Sequence, residues 1–152
     1  MGLVGLVSFS VFCLDTFVKL YLKQNPLYEF PLIDHFVFIT VIFNHGAAFG
    51  ICNSYPQFIT VLSVIFIVFL IFLVYQERKQ NKLVRSAYGC ILGGAFCNLF
   101  DRVFYGYVVD YIDIKVWPVF NISDSAITVG VLFILYYSIT KRMHEKDLYD
   151  KD

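Results

Sequence analysis

Asp101, Arg102, Asp110, Asp113 and Asp124 crowd the stretch between Asn98 and Ser125, beside Asn121, in a chain of 152 residues that is only 16% charged. A carboxylate in or at the edge of a bilayer is expensive and marks a functional site by default. Two carboxylates held close together resist ionising together, so one of them keeps a proton. Such a pair activates a water as base while donating to a carbonyl oxygen as acid, and its natural use is peptide hydrolysis. Asp110 follows Val108 and Val109, and Asp124 stands at the mouth of the last apolar run, so antiparallel packing of neighbouring helices brings the two together. Asp113 competes with Asp110, because three residues further along a helix it shares a neighbouring face.

The elements that must position these groups are membrane spans. Hydrophobic residues make up 59% of the chain and aromatics 19%, and the mean hydropathy is +0.68, against the roughly 45–50% apolar content of soluble domains. Four apolar runs, at residues 3–20, 58–75, 86–100 and 125–140, predict an all-α membrane protein with four transmembrane helices, a single integral membrane domain over residues 1–152. The third and fourth runs are short for a span of about 20 residues. Arg85 and Lys141 lengthen them by snorkelling, with Tyr75, Tyr105, Tyr107 and Trp117 in the headgroup belt. Gly89 and Gly93 form a GxxxG pattern that predicts a central third helix.

Arg78, Lys79, Lys82 and Arg85 between the second and third runs, and Lys141, Arg142, Lys146 and Lys151 in the tail, place both regions and both termini in the cytoplasm by the positive-inside rule. The outer loop at residues 21–57 and the polar stretch at 101–124 then face the opposite side. Within that loop residues 36–43, FVFITVIF, read as a strand, with Asn44 and Gly46 as turn residues and Pro26, Pro31 and Pro56 as loop boundaries. The first run has no basic residue before it and contains Asp15 and Lys19, which argues against a cleavable signal peptide. Leu6 occupies the position where a myristoylation signal needs Ser or Thr.

Plainer readings stand beside the catalytic one. Asp124 before Ser125 has the pattern of a helix N-cap. Asp101 with Arg102 reads as an interfacial ion pair, and Asn98 lies four residues before Arg102 on one helical face. Asp15 and Lys19, also four apart, read as a structural polar pair rather than a transport relay. His35 and His45 lack a third partner at metal spacing, and Cys13, Cys52, Cys90 and Cys97 show no CxxC pattern, so neither a metal nor an organic cofactor is expected. Zero net charge offers no footprint for nucleic acid. Besides the hydrolase, a small transporter or channel using the acids as an ion path survives, although it would place them mid-span among broken helices. A scaffold subunit would need no acidic pair.

Four motifs carry a family resemblance: Asn44-His45-Gly46-Ala47-Ala48-Phe49-Gly50, residues 93–102 (GGAFCNLFDR), residues 105–113 (YGYVVDYID) and residues 120–127 (FNISDSAI). In order and spacing they resemble bacterial lipoprotein signal peptidase, or signal peptidase II, over nearly the whole chain. Leu14-Asp15 with Lys19 is similar to the family's first-helix motif. The resemblance implies an aspartyl endopeptidase of the bacterial inner membrane, which removes the signal peptide of a prolipoprotein before its diacylglyceryl-modified cysteine. It implies Asp110 and Asp124 as the catalytic pair, with Asn44, Asn98, Asp101, Arg102 and Asn121 orienting the pair or holding substrate. It also implies a small β-sheet cradle, an interfacial helix and inhibition by globomycin-type cyclic peptides. The chain departs from the family's usual pattern at Cys97 (usually Gly), Val18 (usually Ser or Thr) and Ser123 (commonly Ala). Cys97 is expected to add volume and shift the packing of the third helix.

Overall fold

The computed structural model describes residues 2–24, 29–33, 36–46, 55–76 and 81–149, with side chains up to Met143. Its elements are α1 (Gly2–Gln24), β1 (Phe30–Ile33), β2 (Val37–Asn44), α2 (Pro56–Gln76), α3 (Lys82–Tyr105), β3 (Val108–Asp113) and α4 (Ile122–Tyr149). All four helices are long and apolar enough to cross a membrane. The third and fourth exceed the runs read from hydropathy, because Asn98, Asp101 and Arg102 interrupt the apolar pattern without interrupting α3. Asn98 and Asp101 are buried, turned into the bundle rather than toward lipid.

Helix α3 is the hub, touching α1, α2 and α4. Its centre is stripped of side chains so that neighbours come close, as the GxxxG pattern implies. A Cβ on Gly93 would lie 2.5 Å from the Ser8 backbone oxygen in α1, and one on Gly94 would lie 2.4 Å from the Ser123 backbone oxygen in α4. Helix α2, apolar on every side, buries only Ile67, Leu70 and Val74 and presents Phe66, Phe69 and Phe72 outward, which suits a helix facing hydrocarbon. Gly94→Ala must push α4 away from α3. We expect it to cost about 1–3 kcal/mol, read as a lowered midpoint of thermal unfolding in detergent. An unchanged midpoint would mean that the α3–α4 contact is not tight.

Asn81 starts α3 by accepting the Val84 N–H, and Gly106, at φ 78°, ends it with its N–H on the Arg102 carbonyl. The left-handed Gly106 turns the chain directly into β3. The strands form one antiparallel sheet in the order β1-β2-β3, with Ile42 opposite Asp110 and Asn44 opposite Val108. The strand expected at residues 36–43 is β2. Pro31 marks not only a boundary but a place in β1, where an edge strand tolerates a residue with no N–H to donate. Strand β3 carries Asp110 and Asp113, so these two do not share a helix face. Residues 47–54, where an interfacial helix and half of the first motif would fall, lie outside the described residues, as do His35 and Cys52.

Candidate active site

At the sheet end of the bundle the last turns of α1 and α3 meet the first turn of α4 and strand β3. They enclose a cavity of about 270 Å³ lined by Asn44, Asn98, Arg102, Asp110 and Asp124, with Trp117, Pro118, Phe120 and Ile127 supplying apolar walls. Of the sequence-predicted residues, the structure gathers Asp110, Asp124, Asn44, Asn98 and Arg102 around this space. Asn121 stands immediately behind it and Asp113 outside it.

Asp124 does not start α4; Asn121 does. Its Oδ1 accepts the Asp124 N–H at 2.8 Å, while Asp124 Oδ2 accepts the Asn121 N–H at 3.2 Å. This is a reciprocal capping box with Asp124 in its third helical position, one residue type removed from the usual Glu or Gln. Asp124 therefore caps in its own way through Oδ2, which leaves Oδ1 for the Asn98 amide.

Three asparagines aim their amides at the two carboxylates, and in each the orientation is fixed by a group that can only donate. Asn44 Oδ1 accepts the Gly46 N–H, so its Nδ2 donates to Asp110 Oδ2 at 2.8 Å. Asn121 Oδ1 is taken by the Asp124 N–H, so its Nδ2 donates to Asp110 Oδ1 at 2.7 Å. Asn98 Oδ1 accepts from Lys19 Nζ at 3.0 Å, so its Nδ2 donates to Asp124 Oδ1 at 2.8 Å. An amide whose oxygen is occupied must present hydrogens, and hydrogens select a carboxylate opposite. Burial first, and then the nearby Asp124 charge, push the Asp110 carboxyl up to about 6, against the Asn44 and Asn121 amides and the Lys19 ammonium. Asp110 thus titrates close to neutrality, as one member of a proton-sharing pair should.

Asp113 has a different environment. A residue three along a strand points to the other face. Asp113 accepts from Thr40 Oγ1 at 3.1 Å, from the Lys115 N–H at 2.8 Å and from Lys115 Nζ at 3.0 Å. Burial pulls its carboxyl upward, but the Lys115 backbone and ammonium and the Thr40 hydroxyl together hold it below the usual range. An acid so held stays ionised and closes the turn after β3.

Beneath the cavity lies a buried ion cluster. Asp15 and Lys19 pair at 2.7 Å, as their spacing implied. Lys19 also pairs with Asp101 at 2.8 Å, which corrects the expected Asp101–Arg102 ion pair: within a helix successive side chains point about 100° apart, so Asp101 turns inward to α1. Arg102 instead reaches the Gly46 carbonyl at 3.1 Å and the Asn98 carbonyl at 3.4 Å, tying the Asn44 turn to α3. Cys97, fully buried, lies 3.4 Å from Asp15 Oδ2, 3.5 Å from Thr16 Oγ1 and 3.7 Å from Lys19 Nζ. Its extra volume is absorbed inside this polar cluster, where the thiol serves as a weak donor. Tyr111 and Ser123 join the same cluster and had no functional signal in the sequence. Tyr111 is an apolar-looking strand residue, and Ser123 stood out only as a departure from a family pattern.

An apolar four-helix bundle with two carboxylates lining one cavity at its sheet end has the make-up of an aspartic-type membrane enzyme. The model of the Signal peptidase (SPase) II family matches residues 7–140. The chain is 42% identical over 142 residues to the lipoprotein signal peptidase of Caldanaerobacter subterraneus subsp. tengcongensis, covering 91% of this chain and 96% of the relative. It is 38% identical over 137 residues to that of Halothermothrix orenii, covering 89% and 94%. Its fold superposes with a TM-score of 0.84 and 31% identity on a solved structure described as a bacterial membrane enzyme, over 93% of this chain and 90% of that one. The chain belongs to the lipoprotein signal peptidase family, signal peptidase II, and is a multi-pass aspartic peptidase. The transporter, channel and scaffold readings fall with that assignment.

Proposed function

We propose that Asp110 and Asp124 are the catalytic pair of a single integral membrane domain over residues 1–152, which cuts the signal peptide from a diacylglyceryl-modified prolipoprotein just before its modified cysteine. The observation that carries this reading is Asn121. Through its side chain it donates to Asp110 and through its backbone to Asp124, so that one residue spans both acids at the wall of the cavity. With one proton between them, the ionised carboxylate removes a proton from a water as its oxygen attacks the scissile carbonyl, and the protonated one donates to the carbonyl oxygen. Collapse of the tetrahedral diol then expels the amine, which takes a proton from the pair, and the shared proton is restored.

Asn44, Asn98 and Asn121 orient the pair, and Asp101, with the structural pair Asp15 and Lys19, anchors it from below. Arg102 lines the cavity with a buried Nε that has no hydrogen-bond partner among the described residues, a donor suited to a substrate carbonyl. Trp117, Pro118 and Ile127 offer an apolar wall along which acyl chains in the bilayer can approach. The basic residues between α2 and α3 and in the tail support cytoplasmic termini, with the site toward the extracytoplasmic face of the inner membrane. Globomycin-type cyclic peptides are expected to compete for the same cavity.

The substrate assignment is tested with one prolipoprotein peptide prepared with and without the diacylglyceryl group. Loss of remote binding energy lowers turnover as well as affinity, so we expect kcat/KM for the unmodified peptide to be lower by at least about tenfold, with cleavage on the N-terminal side of the cysteine. Equal cleavage of both peptides would rule out recognition of the lipid.

A further inference from the structure

The mechanism makes no use of the hydroxyls of Tyr111 and Ser123, yet these are the immediate chain neighbours of Asp110 and Asp124, and both end on one buried carboxylate. Tyr111 Oη donates to Asp15 Oδ1 at 2.7 Å and accepts the Ile122 N–H at 3.3 Å. Ser123 Oγ donates to Asp15 Oδ2 at 2.5 Å. Tyr111 is 2% exposed, and Asp15 and Ser123 are 0% exposed, so no water competes for these bonds. Asp15 belongs to α1, Tyr111 to β3, and Ile122 and Ser123 to the first turn of α4. These are three different elements, and two of them carry the acids.

We infer that Tyr111 and Ser123 are positioning residues for the Asp110–Asp124 pair, which act by fastening the strand and the helix turn that carry the two acids to a single carboxylate, Asp15. The inference rests on the dyad reading proposed above. The sheet leaves this task open: β3 pairs with β2 along one edge, while beyond the other the described bridge is Ile112 with Phe120. That bridge ties the strand to the segment leading into α4 but leaves α1 out of the connection. The Tyr111 hydroxyl closes the triangle, since it donates to Asp15 in α1 and accepts the Ile122 N–H at the start of α4. Lys19 completes the geometry by pairing with Asp15 at 2.7 Å, and Asp15 receives a hydroxyl on each of its two oxygens. A clamp of this kind sets the separation of the acids without touching water or substrate. Its loss should be felt in the chemical step, where a displacement of about 1 Å costs on the order of a hundredfold, rather than in substrate binding.

The test uses the full chain in detergent at matched folded yield, with kcat and KM measured separately on the diacylglyceryl-modified peptide. Tyr111→Phe keeps the ring and removes only the hydroxyl, and Ser123→Ala does the same for the second contact. Each is expected to lower kcat by about tenfold with KM within about twofold, since positioning acts on the transition state. In an Asp15→Asn background each is expected to cost less than about threefold more, the non-additivity of residues that act through one partner. Parent-like kcat in both single variants, a change confined to KM, or full effects added on top of Asp15→Asn would each overturn the inference. If Tyr111→Phe does not fold, Ser123→Ala decides it. Asp110→Asn is assayed alongside: full activity there means that the dyad reading has failed, whereas an inactive Asp110→Asn beside parent-like Tyr111 and Ser123 variants removes the clamp alone.

Discussion

Asp110→Asn is expected to lower cleavage by about 10²–10⁴-fold, the usual contribution of a positioned general acid–base, while also flattening the dependence of stability on pH. The two effects have one origin. Asn has nearly the shape of Asp but holds no exchangeable carboxyl proton, so the pair loses the ability to pass one between water and carbonyl oxygen. On the stability side, burial and the Asp124 charge raise Asp110 from 3.8 in an ordinary environment to about 6 in the fold. A raised carboxyl favours folding most at pH values below 3.8, and that contribution fades as pH climbs through 6, because the unfolded chain ionises first. The fall for this one group between about pH 4 and 7.5 is on the order of 3 kcal/mol. The difference between parent and Asp110→Asn unfolding curves at those two pH values isolates it. The variant does not gain the whole amount, because Asn44 and Asn121 both present amide hydrogens to position 110, and an Asn there has only one oxygen to receive them. Identical pH dependence in parent and variant would show that Asp110 titrates as an ordinary exposed acid.

Lys19→Met is the second large effect expected, and it falls on folding. Lys19 is 2% exposed and pairs with both Asp15 and Asp101, at 2.7 and 2.8 Å. Methionine fills much of the same space but leaves two buried carboxylates without a cation. Breaking a buried pair by deleting one partner costs about 3–5 kcal/mol, and for a chain of this size that is a drop of about 10 °C or more in the unfolding midpoint. Asn98 Oδ1 also loses the Lys19 donor and keeps only the longer bond from Asn121 Nδ2 at 3.3 Å, so the amide that donates to Asp124 is held less firmly. Adding Asp15→Asn to Lys19→Met removes one of the stranded charges and should recover part of the stability. A Lys19→Met midpoint within 2–3 °C of the parent would contradict an ion cluster at the root of the site.

The sequence carried the spans because hydropathy reports what faces lipid, and α2 is legible for that reason alone. It carried the small-residue face of α3 through Gly89 and Gly93. Helix ends at the site were harder to read, since Asn98, Asp101 and Arg102 look like a loop in a hydropathy profile and are in fact the buried last turns of a helix. Strand β3 was missed for a related reason: Val108 to Asp113 has no clean alternation, because both of its faces are covered. The cap lies three residues before the position its local pattern suggests, as Asp124 before Ser125 satisfies a cap pattern while Asn121 makes the reciprocal box with it. What no local pattern contains is the convergence of Tyr111, Ser123 and Cys97 on Asp15, which depends on how α1, α3, β3 and α4 meet in space.

The most direct measurement is single-turnover cleavage of the diacylglyceryl-modified prolipoprotein by the parent, Asp110→Asn, Asp124→Asn and Asp113→Asn at matched folded yield. Asn at position 124 retains one oxygen, enough for the Asn121 N–H or the Asn98 amide but not both, so the comparison is made at matched folded yield, where a loss reports on chemistry rather than on folding. The expected result is cleavage abolished by the substitutions at 110 and 124 and kept within about threefold at 113, whose carboxylate faces Thr40 and Lys115 rather than the cavity. Normal cleavage by either Asp110→Asn or Asp124→Asn, or its abolition by Asp113→Asn alone, would contradict the assignment of the pair.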